Sequence, residues 1–275
     1  MKMGKKIMAD INYKIILPTN VKYLDITHNF IELLKITWPE AIKNLVISVT
    51  GQEKDKSISI GNIPVVLNES TSSLPTCIYN AVQNNPAEYY LIFLGDAFIS
   101  KRIDNREVDS LLKRLIENSI NYCRLLPQFS LYRKGIVKEY RKLNSDERYG
   151  HSFVAFGASS EFIKSEFANG ITDRQFELNY LELASKKKNI YFPDRVVLRQ
   201  NMFHILPSIQ KGKWDRINIL YLKRKYPQIN FSNRGVISLK YESILLIRKA
   251  ILPFISDSLR LRLKANKRKY FDTDL

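Results

Sequence analysis

The stretch 88–98 is the most continuous apolar run of the chain and ends close to a single carboxylate, Asp96. Both of its alternating faces are hydrophobic, which predicts one central strand of a sheet that is covered on both sides. Open α/β sheets bind ligands beyond the carboxyl ends of their strands, so Asp96 is a candidate ligand contact. An aspartate that only caps a turn is the alternative, and the pattern leaves it open.

Strand-like runs and helical periodicities alternate through the first half of the chain. The pattern predicts strands over 11–17, 45–49, 65–67, 88–98 and 122–126, and helices over 24–38, 74–85 and 106–118. This alternation predicts the α/β class, with a mostly parallel sheet flanked by helices on both faces. Right-handed crossovers bring the loops after the strands to one edge of the sheet, where Thr19, Asn20, the loop 68–73 and Asp96 would converge.

The second half is less regular. The polar stretch 129–149 predicts a loop region with little core, and 152–156 a strand. Two helices are predicted over 159–167 and 174–184, the second capped by Thr172 or Asp173. A strand-like run over 190–198 is interrupted by Pro193, and a last helix of this part ends near 226.

The segment 227–275 alternates apolar and basic residues and predicts two short amphipathic helices joined at Pro253. An apolar face beside a dense basic face is what a helix needs to lie on an anionic bilayer. A helix that packs on its own domain with a solvated basic end would show the same pattern. Both interpretations stay open.

The formal net charge of +17 suggests an anionic partner, although a Lys-, Ile- and Asn-rich composition can also reflect genomic base content. The two cysteines lack metal-ligand spacing and suggest a reducing compartment. Three scattered histidines argue against a zinc site or a Ser-His-Asp triad. We see neither a secretory signal pattern nor a membrane-spanning apolar run, so the expected location is the cytoplasm, or the inner face of the cell membrane as a peripheral protein.

The order and spacing of several segments are similar to those of a known enzyme family. These segments are the run 89–99, Ile103-Asp104, the strand 122–125, the segments 158–162 and 173–177, and the element Lys211-Gly212-Lys213-Trp214. Together they resemble bacterial family 2-like glycosyltransferases with the GT-A fold from capsule and O-antigen clusters. The resemblance covers roughly residues 11 to 226. It implies a catalytic domain over 1–226, with a donor-binding part near 11–126 and an acceptor part near 127–226, followed by a basic C-terminal segment over 227–275.

The resemblance implies transfer of a sugar from a nucleotide-diphosphate sugar, such as a UDP- or GDP-sugar, to a hydroxyl of a saccharide or polyprenyl-linked acceptor. A carboxylate would act as the general base of an inverting reaction, with Glu177 favoured over Asp173. A divalent Mn or Mg ion could be held by Asp96, but Gly95 stands where relatives usually carry a second acid. The remaining donor-site candidates that the resemblance implies are Thr19, Asn20, Ser72, Ser73, Lys211, Lys213 and Arg216.

Two other functions fit part of the pattern. Positive charge and many aromatic residues are compatible with nucleic-acid binding. However, the aromatic residues lie mostly in apolar strands and helices, and the sequence lacks helix-turn-helix, RNP and zinc signatures. The second alternative is a catalytically inactive relative that acts as an assembly partner in polysaccharide synthesis, which Gly95 keeps open.

Overall fold

The computed structural model describes residues 11–51, 58–127, 136–145, 147, 150–186 and 190–251. The first half contains β1 (Tyr13–Asn20), α1 (Leu24–Thr37), β2 (Leu45–Thr50), β3 (Val65–Leu67), α2 (Leu74–Asn84), β4 (Tyr89–Phe93), β5 (Ala97–Ile99), α3 (Asn105–Glu117) and β6 (Tyr122–Arg124). The second half contains β7 (Tyr140–Asn144), β8 (Ala155–Ser159), α4 (Ser160–Phe167), α5 (Asp173–Lys186), β9 (Tyr191–Leu198), β10 (Ile205–Pro207), β11 (Ile209–Gln210), β12 (Lys213–Trp214), α6 (Arg216–Lys225) and α7 (Leu239–Ile251).

The main sheet has eight strands within the described residues, in the order β3-β2-β1-β4-β8-β6-β9-β7. Strands β1 to β4 run parallel to one another, and β6 is parallel to β9. Only β8 and β7 run in the opposite direction. The predicted α/β class with a mostly parallel sheet flanked by helices is therefore confirmed.

Strand β4 is the centre of the sheet and is buried on both faces, as its apolar run predicts. Leu91 and Phe93 join the core cluster that contains α1 and α3 residues, whereas Tyr90 and Ile92 join the cluster that contains α2, α4 and α5 residues. Successive side chains of a strand point to opposite faces, so one short run supplies both cores. All five residues of β4 are buried.

The prediction of a single strand over 88–98 was wrong. β4 ends at Phe93, and a turn follows in which the N–H of Ala97 donates to the carbonyl of Leu94 at 2.9 Å. The chain then continues as β5, which pairs antiparallel with β10, more than a hundred residues later. Asp96 consequently lies in the turn between two strands.

Strand β1 is longer than predicted. It continues through Pro18 to pair Asn20 with Thr50 of β2, so Thr19 and Asn20 end a strand instead of standing in a loop. Pro18 is tolerated because it lies beyond the last pair between β1 and β4, which joins Ile16 to Ile92.

Two predictions about the second half were also wrong. The stretch 129–149 contains strand β7, and Pro193 lies within a continuous β9. The β7–β9 ladder has an irregularity between Lys142 and Asn144, and Pro193 falls in that unpaired interval. A proline is accepted there because its missing N–H removes no ladder bond. Residues 128–135, 146, 148 and 149 of the predicted loop lie outside the described residues.

Helix α7 agrees with the first of the two predicted C-terminal helices. The helix predicted beyond Pro253 and the basic run 260–269 lie outside the described residues. Among the helices that the structure describes, none is both long and apolar enough to cross a membrane.

Candidate functional site

The ends of the parallel strands define the candidate site, as the sequence predicts. Beyond β1, β2, β3 and β4 the chain continues at Val21, Gly51, Asn68 and Leu94, respectively. Since these four strands are neighbours and parallel, their carboxyl ends share one edge of the sheet. The residues that follow them are the first candidates for contact with a ligand.

Thr27 of α1 lies near both the end of β1 and the turn that carries Asp96. The hydroxyl of Thr27, in α1, donates to the hydroxyl of Thr19 at 2.8 Å. A Cβ placed on Gly95 would lie 3.7 Å from the same Thr27 oxygen, so the turn passes close to α1. Thr19 therefore lies at the predicted edge, but its hydroxyl is buried and engaged within the protein.

Asn20 is joined to the end of β2. Its side-chain oxygen accepts from the N–H of Lys22 at 3.0 Å, and its Nδ2 atom would lie 2.5 Å from a Cβ built on Gly51. Gly51 has a φ of +80°, a conformation that side chains rarely adopt. Glycine at this position therefore leaves the space that the Asn20 amide occupies.

The loop 68–73 packs on the end of β2. The Thr50 hydroxyl donates to the carbonyl of Glu69 at 2.8 Å. Ser73 caps α2 by accepting from the N–H of Thr76, and its hydroxyl donates to the carbonyl of Ile171 at 2.7 Å. The predicted cap at Ser73 is confirmed, and the same side chain ties α2 to the segment before α5. The assignment of Ser72 and Ser73 to a donor site stays a prediction.

The carboxyl group of Asp96 is half-buried, and burial raises its pKa to about 6. Hydrogen bonding to its own backbone N–H opposes this shift. The carbonyl of Asp96 accepts from the N–H of Ser208 at 3.1 Å, which fixes the turn to the segment after β10. Over the described ranges, no lysine or arginine forms an ion pair with Asp96.

The start of α5 separates the two base candidates. Thr172 caps the helix, with its hydroxyl accepting from Gln175 N–H at 3.2 Å, so the predicted alternative of an Asp173 cap was wrong. Asp173 itself is exposed in the first turn. Glu177 lies one turn further along and is half-buried, and burial raises its pKa while a backbone hydrogen bond from Phe153 opposes this. Glu177 is the more enclosed of the two carboxylates.

A short backbone path connects Glu177 to the turn of Asp96. Glu177 accepts from Phe153, and the next residue, Val154, accepts from the N–H of Leu94 at 3.1 Å. Leu94 is two residues before Asp96. The structure therefore brings the two carboxylates to neighbouring segments, whereas the topology predicted from the sequence placed Asp96, but not Glu177, at this edge.

Two buried arginines were missed from the sequence: Arg124, which interacts with Glu177, and Arg141, which is paired with Glu147. Arg124 of β6 and Arg141 of β7 are both in register with Val197 of the intervening β9, so they share one face of the sheet. Burial lowers the pKa of Arg124, and nearby Glu147 and Glu177 oppose this shift. A charged residue inside the apolar run 122–126 is the sequence feature that could have indicated Arg124.

The predicted phosphate-neutralising residues lie around a hairpin formed by β11 and β12. Lys211 and Gly212 form its turn, with φ values of +50° and +75°, and Lys211 and Lys213 are exposed. Arg216 is already engaged, because its Nε lies 3.6 Å from Glu242 and its Nη2 donates to the carbonyl of Ile237. The lysines therefore remain better candidates for an anionic ligand than Arg216.

Arg234, which the sequence did not single out, fastens this hairpin to the start of α1. It donates to both carboxylate oxygens of Asp25 at 2.6 Å and to the carbonyl of Gly212 at 3.3 Å. Its guanidinium also lies 4.8 Å from the centre of the Tyr23 ring. Lys211 and Lys213 are thereby held next to the segment that follows Asn20.

The residues present do not fit a metal ion held by the protein. Within the ranges the structure describes, no group of three or more histidine, cysteine, aspartate or glutamate side chains could hold a metal. At the end of β4 the protein offers the Asp96 carboxylate with Gly95 beside it. A single carboxylate needs phosphate oxygens to complete a Mg²⁺ shell, so a resident ion is not supported.

No family model and no curated protein matches the chain. Among solved structures, it is similar to a cytidylyltransferase from Leptospira borgpetersenii serovar Hardjo-bovis, with 10% identity over 83% of this chain and 100% of that one and a TM-score of 0.42. A nucleotidyl transferase from Methanothermobacter thermautotroptrophicus has 11% identity over 80% and 99%, with a TM-score of 0.43. TarS from S. aureus, residues 1–349 with UDP, has 10% identity over 68% and 60%, with a TM-score of 0.40. Similarities at this level assign no activity to the chain.

Proposed function

We propose that this chain is a glycosyltransferase that uses a nucleotide-diphosphate sugar and transfers the sugar to a hydroxyl of a saccharide or lipid-linked saccharide. The observation that carries the proposal is that the turn of Asp96 is hydrogen-bonded, through Leu94 N–H and the Val154 carbonyl, to the segment whose Phe153 donates to Glu177, so two partly enclosed carboxylates lie on adjoining segments of a mostly parallel sheet. Sugar transfer needs one group that orients the donor and one that removes a proton from the acceptor. The resemblance in segment order supports the same reaction.

The nucleotide would lie along the ends of β1 and β2. Asn20 faces this edge beside Gly51, and Asp96 would accept hydrogen bonds from ribose or sugar hydroxyls. The exposed Lys211 and Lys213 would offset the negative charge that develops on the departing diphosphate. Thr19, Ser72, Ser73 and Arg216 would then support this edge mainly through the contacts they make within the protein.

Glu177 would act as the general base. Its carboxylate would take the proton of the acceptor hydroxyl as that oxygen bonds to the anomeric carbon, while the bond from that carbon to the nucleoside diphosphate breaks. A pKa raised by burial makes the carboxylate a stronger base near neutral pH. These roles do not require a resident metal ion, and Mn²⁺ or Mg²⁺ would enter together with the diphosphate.

The test begins with thermal unfolding in the presence of UDP, GDP, CMP and TDP, each with and without Mn²⁺. A ligand that prefers the folded state raises the unfolding temperature, so the pattern identifies the nucleotide and the need for metal. We expect one nucleoside diphosphate to stabilise the protein and Asp96→Asn to abolish that stabilisation. Asp104→Asn, at an exposed cap of α3, is the matched control and should respond like the wild type.

Hydrolysis of the nucleotide sugar that corresponds to the stabilising nucleotide tests catalysis separately. Slow hydrolysis by the wild type and none by Glu177→Gln would support an active transferase. Nucleotide binding without hydrolysis or transfer would favour an inactive assembly partner. The absence of stabilisation by every nucleotide would overturn the proposal.

A further inference from the structure

Helix α6 leaves an apolar stripe uncovered. Ile219 and Leu222 are buried against the core, while Ile217, Leu220 and Tyr221 keep 53%, 62% and 37% of their surface exposed. These three positions are spaced three and four apart, so they share one face of the helix. A helix that only packs on its own domain would carry polar residues on that face.

Helix α7 adds to the same region. The N–H of Ile217 donates to Glu242 of α7 at 3.2 Å, which joins the two helices. Leu239, Ile244 and Ile247 of α7 are also exposed. We call these six exposed residues of the two helices the α6–α7 surface: Ile217, Leu220, Tyr221, Leu239, Ile244 and Ile247. With Val236, they make up seven of the thirteen large apolar side chains exposed in the described part of the chain, so the region is a concentration and not a scatter.

The segment that carries this surface is strongly basic. Residues 211–251 contain ten lysines and arginines and two acids. Both acids are engaged internally, because Asp215 caps α6 by accepting from the N–H of Asn218 and Glu242 faces Arg216. Lys213, Lys223, Arg224 and Lys240 are exposed. The apolar residues are therefore accompanied by exposed cationic side chains.

We propose that the α6–α7 surface docks on an anionic lipid bilayer. Exposed isoleucine and leucine side chains can enter the boundary between headgroups and acyl chains, and the surrounding lysines and arginines can meet the anionic headgroups. A second copy of the chain fits less well, since a two-fold interface would bring like charges together. Nucleic acid fits less well too, because its single strands bind on aromatic platforms and not on aliphatic stripes.

The surface is connected to the candidate site. The N–H of Asp215, at the start of α6, donates to the carbonyl of Ser208, and the N–H of Ser208 donates to the carbonyl of Asp96. Two backbone hydrogen bonds therefore link the start of α6 to the turn that carries Asp96. The docking proposal itself does not depend on sugar transfer.

Vesicle flotation with the full chain tests the proposal. The vesicles are phosphatidylcholine alone, or phosphatidylcholine with about one third phosphatidylglycerol. We expect binding only to the anionic vesicles, weakened by salt because exposed charges are screened. The double variant Ile217→Ser/Leu220→Ser should lower the vesicle affinity by about tenfold or more, since it removes the apolar area that would enter the bilayer and leaves the charge unchanged.

Leu67→Ser on β3 is the matched control, because it removes an exposed apolar residue elsewhere. It should bind vesicles like the wild type, and circular dichroism should show that all variants are folded.

A charge-reversal variant, Lys223→Glu/Arg224→Glu, should also lose binding to the anionic vesicles. The proposal would be overturned if the wild type failed to bind anionic vesicles, or if the Ile217→Ser/Leu220→Ser variant bound them equally well. It would also be overturned if the wild type self-associated or bound nucleic acid and the Ile217→Ser/Leu220→Ser variant alone abolished that binding. Loss of vesicle binding with intact nucleotide stabilisation would separate this surface from the nucleotide site.

Discussion

The N–H of Leu94 donates to the carbonyl of Val154 at 3.1 Å, and this bond joins the segments of the candidate donor contact and the candidate base. Leu94 begins the turn that carries Asp96, and Val154 follows Phe153, which donates to Glu177. Val154 leads into the antiparallel β8, so an element from the second half of the chain is placed beside the end of β4. The candidate site therefore depends on a long-range strand pairing and not on a single motif.

Replacement of Glu177 by Gln should lower turnover about 100- to 10,000-fold, because the amide cannot accept the acceptor proton. Donor affinity should stay unchanged, since Glu177 is assigned to the acceptor side. Wild-type turnover should also fall as the pH drops through the raised pKa of Glu177, where the base becomes protonated. Steady-state kinetics over a pH series measures both effects.

Asp173→Asn is the matched control for that variant, as it alters an exposed carboxylate in the same helix. It should retain nearly wild-type turnover. Loss of turnover in Asp173→Asn together with an active Glu177→Gln variant would reassign the base to Asp173.

Gly51→Ala should destabilise the protein and weaken nucleotide binding. The left-handed backbone costs a non-glycine residue about 1–3 kcal/mol, and the new Cβ would displace the Asn20 amide, whose Nδ2 lies 2.5 Å away. Thermal unfolding measures the first effect and nucleotide titration the second.

Gly61→Ala separates the effect of backbone strain from the effect of displacing the Asn20 amide. Gly61 also has a positive φ, of +58°, but a Cβ there would meet nothing within 4 Å. This variant should lose about 1–2 kcal/mol of stability while nucleotide affinity remains unchanged. Equal nucleotide affinity in both variants would contradict a role for Asn20 in donor binding.

The protein should lose stability as the pH falls below about 6.5, the usual pKa of histidine. His151 is fully buried, stacked 4.5 Å from the Phe176 ring, and its pKa is held well below the ordinary value by burial and by Arg195. The unfolded chain therefore binds a proton that the folded chain excludes, which costs up to about 1.4 kcal/mol per pH unit. Urea unfolding at pH 7.5 and pH 5 measures the difference.

Asp96 opposes this trend, because its folded pKa of about 6 lets the folded state take up a proton first. The contribution of His151 is consequently read from a His151→Phe variant. This variant should be less stable than the wild type at pH 7.5, since Arg195 loses its 2.8 Å contact with Nε2, but should show a smaller loss on acidification. An unchanged pH dependence would contradict the assignment.

Glu147→Gln should cost about 3–5 kcal/mol of unfolding free energy. Arg141 and Glu147 form an ion pair in which both side chains are only 6% exposed, with Nη1 and Oε2 2.8 Å apart. The variant would leave the guanidinium charge buried without its carboxylate. Denaturant unfolding gives the free energy directly.

The exposed pair Lys35–Glu32, with a 2.7 Å contact, is the control. Glu32→Gln should cost less than about 1 kcal/mol, because solvent screens exposed pairs. A similar loss in both variants would show that burial does not set the strength of the Arg141–Glu147 pair.

Local pattern was enough to predict the parts of this protein that depend on neighbouring residues. The apolar run around Leu91 predicted a strand buried on both faces, and Ser73 was predicted as the cap of α2. Both follow from periodicity and from hydrogen bonds that close within three or four residues. The α/β class followed from the alternation of these elements.

The remaining features depend on pairings between distant segments. Only the tertiary structure shows that the run ends at Phe93, because β5 leaves the main sheet to pair with β10. It alone shows that Arg124 and Arg141 flank Val197, since register between strands is a long-range property. Local pattern therefore predicts a central strand with a carboxylate near its end, and pairings between distant segments fix which side chains lie around that carboxylate.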